Sequence, residues 1–235
     1  DYVLWPSQAD MIRSLQGADA FVRSIYQRYE VRGYVPPSNV LGTSGREALP
    51  KALGGLRVIA SEYTGYDYSY VQEFGCGTDG VLEMPRFTSD YTDNNENWWY
   101  VLNMVSLHGA FIHFVHPDDV LDPDRNYGKT WEQLRSSFDA LLGRVREDFP
   151  WLAPVTLSEG AVELERYLDV RPLFEITDTR IHGALSGFRD HAWFILRTDA
   201  MPVRPVGCTV TPLHGDAWLV RVDRADFEIG LEARS

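Results

Sequence analysis

Apolar positions at helical spacing open the chain. Met11, Ile12, Leu15, Phe21, Val22, Ile25, Tyr26 and Tyr29 share one broad face behind Ser7, a good N-cap residue. Gly33 and Pro36-Pro37 are the expected stop. A short helix is expected over Gly45–Leu53, and the apolar run Leu56–Ser61 predicts a compact strand. The stretch Tyr63–Asn97 is rich in Tyr, Gly, Asp and Asn and predicts a long loop region. A helix carrying Trp98, Trp99, Leu102 and Val105 then leads to a strand at Ala110–Val115. Thr130-Trp131-Glu132-Gln133 has the capping-box pattern and starts a helix through Val145. Pro154–Leu157 reads as a short strand, and Ser158 as the cap of a helix to about Leu168.

The alternation of strand and helix predicts parallel α/β construction over residues 1–170. Beyond that the pattern shortens. Leu173–Thr177, Ala192–Arg197, Cys208–Thr211, Ala217–Asp223 and Phe227–Leu231 are β-rich and separated by Gly, Pro and Asp. Residues 171–235 are therefore expected to form a small, sandwich-like β domain.

The run Phe111-Ile112-His113-Phe114-Val115-His116-Pro117-Asp118-Asp119 holds the most chemistry. Pro117 cannot donate to a ladder, so a buried strand should end there. His116, Asp118 and Asp119 then lie at the C-terminal lip of a strand, where α/β folds place reactive groups. His113 and His116, three apart on a strand, point to opposite faces and are poor partners for one metal. His116 is the candidate general acid or base, with Asp118 or Asp119 to orient it. The plainer alternative makes Asp118 a turn residue beside a surface histidine.

Other candidates are softer. Pro37, Ser38 and Asn39 sit in a proline-stiffened loop that could present groups to a substrate. Arg86 could grip a carboxylate or sugar oxygen as a planar fork. Trp98 and Trp99 cannot share one helix face, so one is expected in the core and the other in a cleft.

Composition narrows the classes. With 22 basic against 34 acidic residues the formal charge is −12, which argues against nucleic acid. Seven Trp and twelve Tyr are many for 235 residues and suit either a dense core or a sugar-gripping surface. No window is long and apolar enough to cross a bilayer. Cys76 and Cys208 alone make neither a disulfide framework nor a zinc motif and are expected as buried free thiols. No nucleophile elbow, phosphate loop or dinucleotide fingerprint is present, which argues against a nucleotide cofactor. The opening Asp1-Tyr2-Val3-Leu4-Trp5-Pro6 suggests a piece of a longer protein.

The order of Tyr34-Val35-Pro36-Pro37-Ser38, Val58–Ser61 and Ala110–Asp119 resembles the later half of the polysaccharide deacetylase superfamily. It looks closest to bacterial relatives associated with exopolysaccharides, and the likeness covers roughly residues 7–168. Val35-Pro36-Pro37 matches an Arg-Pro-Pro-type loop without its arginine, and Phe114-Val115-His116 matches the strand that ends in the leaving-group acid. The resemblance implies part of a (β/α) barrel, an extracytoplasmic polysaccharide substrate and a divalent metal, zinc being the expected ion. It also implies hydrolysis of an N-acetyl group by metal-activated water, with His116 as general acid. The family's aspartate base and metal-binding motifs are not visible before Ser7. They are expected either upstream or not at all, as in a relative that binds polysaccharide, or scaffolds its export, without catalysis. A glycoside hydrolase pairing Glu83 with Asp118 or Asp119 is a third reading. The sequence carries no signal for oligomeric state.

Overall fold

Ser7 caps the first helix as its hydroxyl suggests, accepting from the backbone of Asp10 at 3.2 Å, and the helix α1 spans Gln8–Ile25. The computed structural model describes residues 5–37, 41–61 and 73–233. They fall into two units, Asp1–Ala161 and Val162–Ser235. Ser38 and Asn39, and the early part of the expected loop at 62–72, lie outside the described residues.

In the first unit three short strands run parallel. β1 (Gly33–Tyr34) pairs with β2 (Val58–Ile59), and β2 with β4 (Leu82–Glu83); β3 (Gly75–Cys76) closes the edge antiparallel to β4. Between β1 and β2 lies α2 (Thr43–Ala52). Leu41, Leu49, Leu53, Leu56, Ile59 and Val81 make the core beneath them. A second parallel pair, β5 (Thr88–Ser89) with β6 (His113–Phe114), stands apart in its own sheet. Among the described residues the strands form no closed barrel; the fold is mixed α/β.

Helix α3 (Asn95–His108) is capped by Asn94 and ends on Gly109, whose φ of 64° is the left-handed turn glycine permits. It packs on α4 (Trp131–Asp148) through Trp98, Val101, Val105, Leu141 and Val145. The capping box of α4 forms in full: Thr130 and Gln133 satisfy each other's backbone amides. α5 (Leu157–Asp169) starts earlier than Ser158. Thr156 and Glu159 supply a reciprocal cap there, at 2.7 and 3.3 Å, so the expected strand at Pro154–Leu157 does not form. The first helix also stops at Ile25, well before Gly33, and leaves Phe21, Ile25 and Tyr26 exposed.

A buried ion cluster ties α2 to the sheet. The Arg46 guanidinium donates to Glu83 at 2.7 Å and to Asp79 at 2.7 and 3.1 Å. Burial disfavours its charge, but the two carboxylates more than offset that and hold its pKa above the ordinary value. Asp79 is correspondingly lowered by the Arg46 hydrogen bond.

The second unit holds two antiparallel sheets. One has the order β10 (Met201–Val206), β13 (Asp226–Glu232), β8 (Arg180–Ser186), β7 (Arg171–Ile176). The other is β11 (Cys208–Pro212), β12 (Ala217–Val222), β9 (Ala192–Arg197). Ile181, Leu185, Val220, Val222, Phe227 and Ile229 fill the space between them. Gly183 lies against the Phe227 ring, where a Cβ has no room. Both cysteines are free, but Cys76 is exposed rather than buried. Cys208 is half-buried, and burial pushes its thiol up to about 11.

His113 lies half-buried in β6. Its Nδ1 is 2.8 Å from the Thr88 hydroxyl and its Nε2 is 2.6 Å from the Asp90 carbonyl. A carbonyl only accepts, so Nε2 carries the proton and the neutral ring accepts from Thr88. Burial lowers its pKa from 6.5, against the opposing pull of Asp90.

Two outcomes test this arrangement. Arg46→Met should destabilise the chain by about 3–5 kcal/mol, because Glu83 is left buried without its cation. Thr130→Ala should cost only about 1 kcal/mol; urea unfolding followed by helical signal compares the two. The lowered folded pKa of His113 makes stability complete above the unfolded value of 6.5. Stability is then lost as pH falls below 6.5 towards the folded value, because only the unfolded chain takes up the proton. Unfolding free energies between pH 7.5 and 5 should show this decline, and His113→Gln should flatten it.

Candidate functional site

Strand parity and a proline place His116. The β6 ladder pairs His113 with Thr88 and Phe114 with Ser89, so His113 turns inward and the chain leaves the sheet at once. The expected long strand at Ala110–Val115 is only His113–Phe114, half-buried rather than buried. Pro117 then opens a short 3-10 helix over Pro117–Leu121, with His116 as its N-terminal flank.

The His116 carbonyl accepts from the Asp119 amide at 3.1 Å and from the Tyr91 hydroxyl at 3.4 Å. Its ring meets the Phe114 ring edge-on, 4.4 Å between centroids. The Arg86 guanidinium lies 4.1 Å from the other ring's centroid. Arg86 is 5% exposed. The arginine thus braces Phe114, which braces His116, and does not reach into solvent.

The imidazole itself is half-exposed, with Nδ1 3.7 Å from Asp118 Oδ1. That is a charge contact, not a hydrogen bond. Arg125 spans both carboxylates, pairing with Asp118 at 3.3 Å and with the buried Asp119. Arg125 sits in a loop that folds on itself: its amide and that of Asn126 donate to the Asp122 carbonyl at 3.1 and 2.8 Å.

Asp90, from the loop region that the sequence predicts over Tyr63–Asn97, and Tyr127 join this group. Asp90 and Tyr127 both adopt positive φ, 82° and 55°, which side chains other than glycine avoid. The Asp90 charge, and then burial, hold the Tyr127 phenol above the ordinary range. Burial, then Asp119 and Asp118, do the same to Tyr91. Tyr91 and Tyr127 therefore stay protonated donors at neutral pH.

His116, Asp118 and Asp119 bring potential ligand atoms within 4.8 Å of one another. They do not fit a divalent metal as they stand, because Arg125 is already paired with both carboxylates. The arrangement instead suits proton transfer by a half-exposed imidazole next to a carboxylate.

The remaining sequence candidates lie elsewhere. Trp98 is packed in the core, with the Arg144 guanidinium 3.8 Å from its ring centre and Phe149 at 6.1 Å. Trp99 is exposed. Pro37 is exposed at the end of its described segment. Glu83 is buried and bound to Arg46.

No helix among the described residues is long and apolar enough to cross a membrane. No curated protein matches the chain. Among solved structures it is similar to "Crystal structure of Agd3 a novel carbohydrate deacetylase", at 11% identity and a TM-score of 0.48. That match covers 96% of this chain and 42% of the other, so the chain spans less than half of that protein's length. A family model described as "Uncharacterised protein conserved in bacteria (DUF2194)" matches residues 3–219. With most of both units inside that match, the chain belongs to the DUF2194 family.

Proposed function

We propose that this chain carries the leaving-group side of a carbohydrate de-N-acetylase acting on an extracytoplasmic polysaccharide, with His116 as general acid. The observation that supports this most is the mounting of His116. Its carbonyl is held by two donors and its ring by Phe114, while the imidazole stays half-exposed beside Asp118. In the reaction water adds as hydroxide to the acetyl carbonyl and gives its proton to solvent. The C–N bond breaks as the sugar nitrogen takes a proton from His116, acetate departs, and solvent reprotonates the imidazole. The Asp118 carboxylate lies beside the imidazole, and Arg125 pairs with both Asp118 and Asp119.

A divalent metal belongs to this reading through the order of sequence motifs. The His116 group does not fit it, so no step is assigned to a metal here. The glycoside-hydrolase reading loses support, because it needs a free carboxylate opposite Asp118 or Asp119 and Glu83 is bound to Arg46.

Acetate release from acetylated oligosaccharides tests the assignment. His116→Gln should lower the rate at least 100-fold with an unchanged circular dichroism spectrum, as expected for loss of a general acid. Parent-like turnover in that variant removes His116 from the chemistry. A parent that binds oligosaccharide but releases no acetate would favour a binding or export-scaffold role. Elemental analysis of the active protein should find metal in both parent and Asp118→Asn.

A further inference from the structure

Tyr127 lies in the Arg125 loop, and Trp131 is the first residue of α4. Both are large aromatic side chains facing solvent, 64% and 46% exposed. Each is nevertheless fixed. Tyr127 is set by a positive φ of 55°, followed by Gly128 at 68°. A left-handed non-glycine residue costs about 1 kcal/mol or more, and such strain collects at ligand sites. Trp131 is set edge-on against Tyr91 at 6.0 Å, and Tyr91 is itself held from behind by Phe138 at 5.7 Å.

Both rings are coupled to the reacting group through one residue pair. Tyr91 joins Trp131 to the His116 carbonyl, and the charge of the adjacent Asp90 acts on the Tyr127 hydroxyl. Around them stand Asp118, Asp119 and Arg125, and Lys129, whose ammonium lies 5.9 Å from the Tyr127 ring centre. A protein segment with an apolar face would have to desolvate these charges at a penalty. A pyranose has the matching mixture: a face of C–H groups for an aromatic ring, and a rim of hydroxyls for carboxylate, guanidinium and ammonium.

We infer that Tyr127 and Trp131 form a sugar-stacking subsite that seats N-acetylhexosamine units of the polymer beside His116. The inference rests on the deacetylase reading for its choice of sugar, and its test reads binding separately from turnover. The rings grip the pyranose faces. The backbone at φ 55° directs Tyr127 outward, and the edge contact with Tyr91 orients Trp131.

Calorimetry with hexamers of β-1,4-linked and β-1,6-linked N-acetylglucosamine supplies the readout. The parent should bind at least one of them. Trp131→Ala and Tyr127→Leu should each weaken that binding about tenfold, the equivalent of losing one buried apolar face. Trp131→Phe, which keeps a ring, should recover most of the loss, and so distinguishes stacking from misfolding. Parent-like affinity in both Trp131→Ala and Tyr127→Leu overturns the subsite, as does a parent that binds neither hexamer. His116→Gln separates the two readings. If it binds like the parent and releases no acetate, subsite and general acid both stand. If it still releases acetate, the general-acid reading fails, while the subsite is judged on the affinities of the two aromatic variants.

Discussion

The turn at Asp90 is the constraint on which the candidate site depends. Its backbone leaves β5 in the left-handed region, and every polar group it has is then used. Its amide donates to the Phe114 carbonyl at 3.0 Å, and its own carbonyl accepts from His113. The carboxylate takes the Tyr91 amide and the Thr92 hydroxyl at 3.0 Å, and its charge acts on the Tyr127 hydroxyl. One residue thus fastens β6 and the α3 approach. A buried or half-buried acid with this many donors is satisfied without a metal or a second cation. The unfavourable φ persists because so many bonds over-determine it.

The site is built outward from that turn in layers of decreasing burial. His113 and Phe138 stack at 5.3 Å beneath it, Phe114 and Arg86 brace the next level, and His116 and Asp118 meet solvent. The buried layers are aromatic or charge-compensated, so the half-exposed imidazole is supported by groups that cannot easily move. Preorganisation of this kind is what a proton donor needs, since a misplaced ring loses rate faster than it loses stability.

Much of this was legible from residue order, and the exceptions have physical reasons. The caps at Ser7 and Thr130 were readable because a capping side chain and its partner lie within one helical turn. The start of α5 was misplaced because Thr156 and Ser158 are both competent caps, and only Glu159 decides between them. β9 is legible as the apolar run Ala192–Leu196, whereas Gly183 within β8 and Pro202 and Pro205 within β10 argue against a strand in sequence. β10 tolerates proline because it is an edge strand. His116 could be singled out because Pro117 marks the strand end. Arg125, Asp90 and Tyr127 could not, because their relation is non-local and no residue pattern announces a tyrosine at φ 55°.

The brevity of β6 has a consequence for how this chain can vary. Two residues in register with Thr88 and Ser89 decide that His113 faces inward and His116 outward. Inserting or deleting one residue between Phe114 and His116 would exchange the two faces, bringing an imidazole to the core or removing it from the surface. The segment from Asp122 to Thr130 obeys no such parity. It is tied down at Arg125 and is otherwise made of turns. Relatives of this chain are therefore free to differ in the length and reach of that loop while the histidine stays put. In this architecture the chemistry is held by counting residues, and whatever the loop presents can change around it.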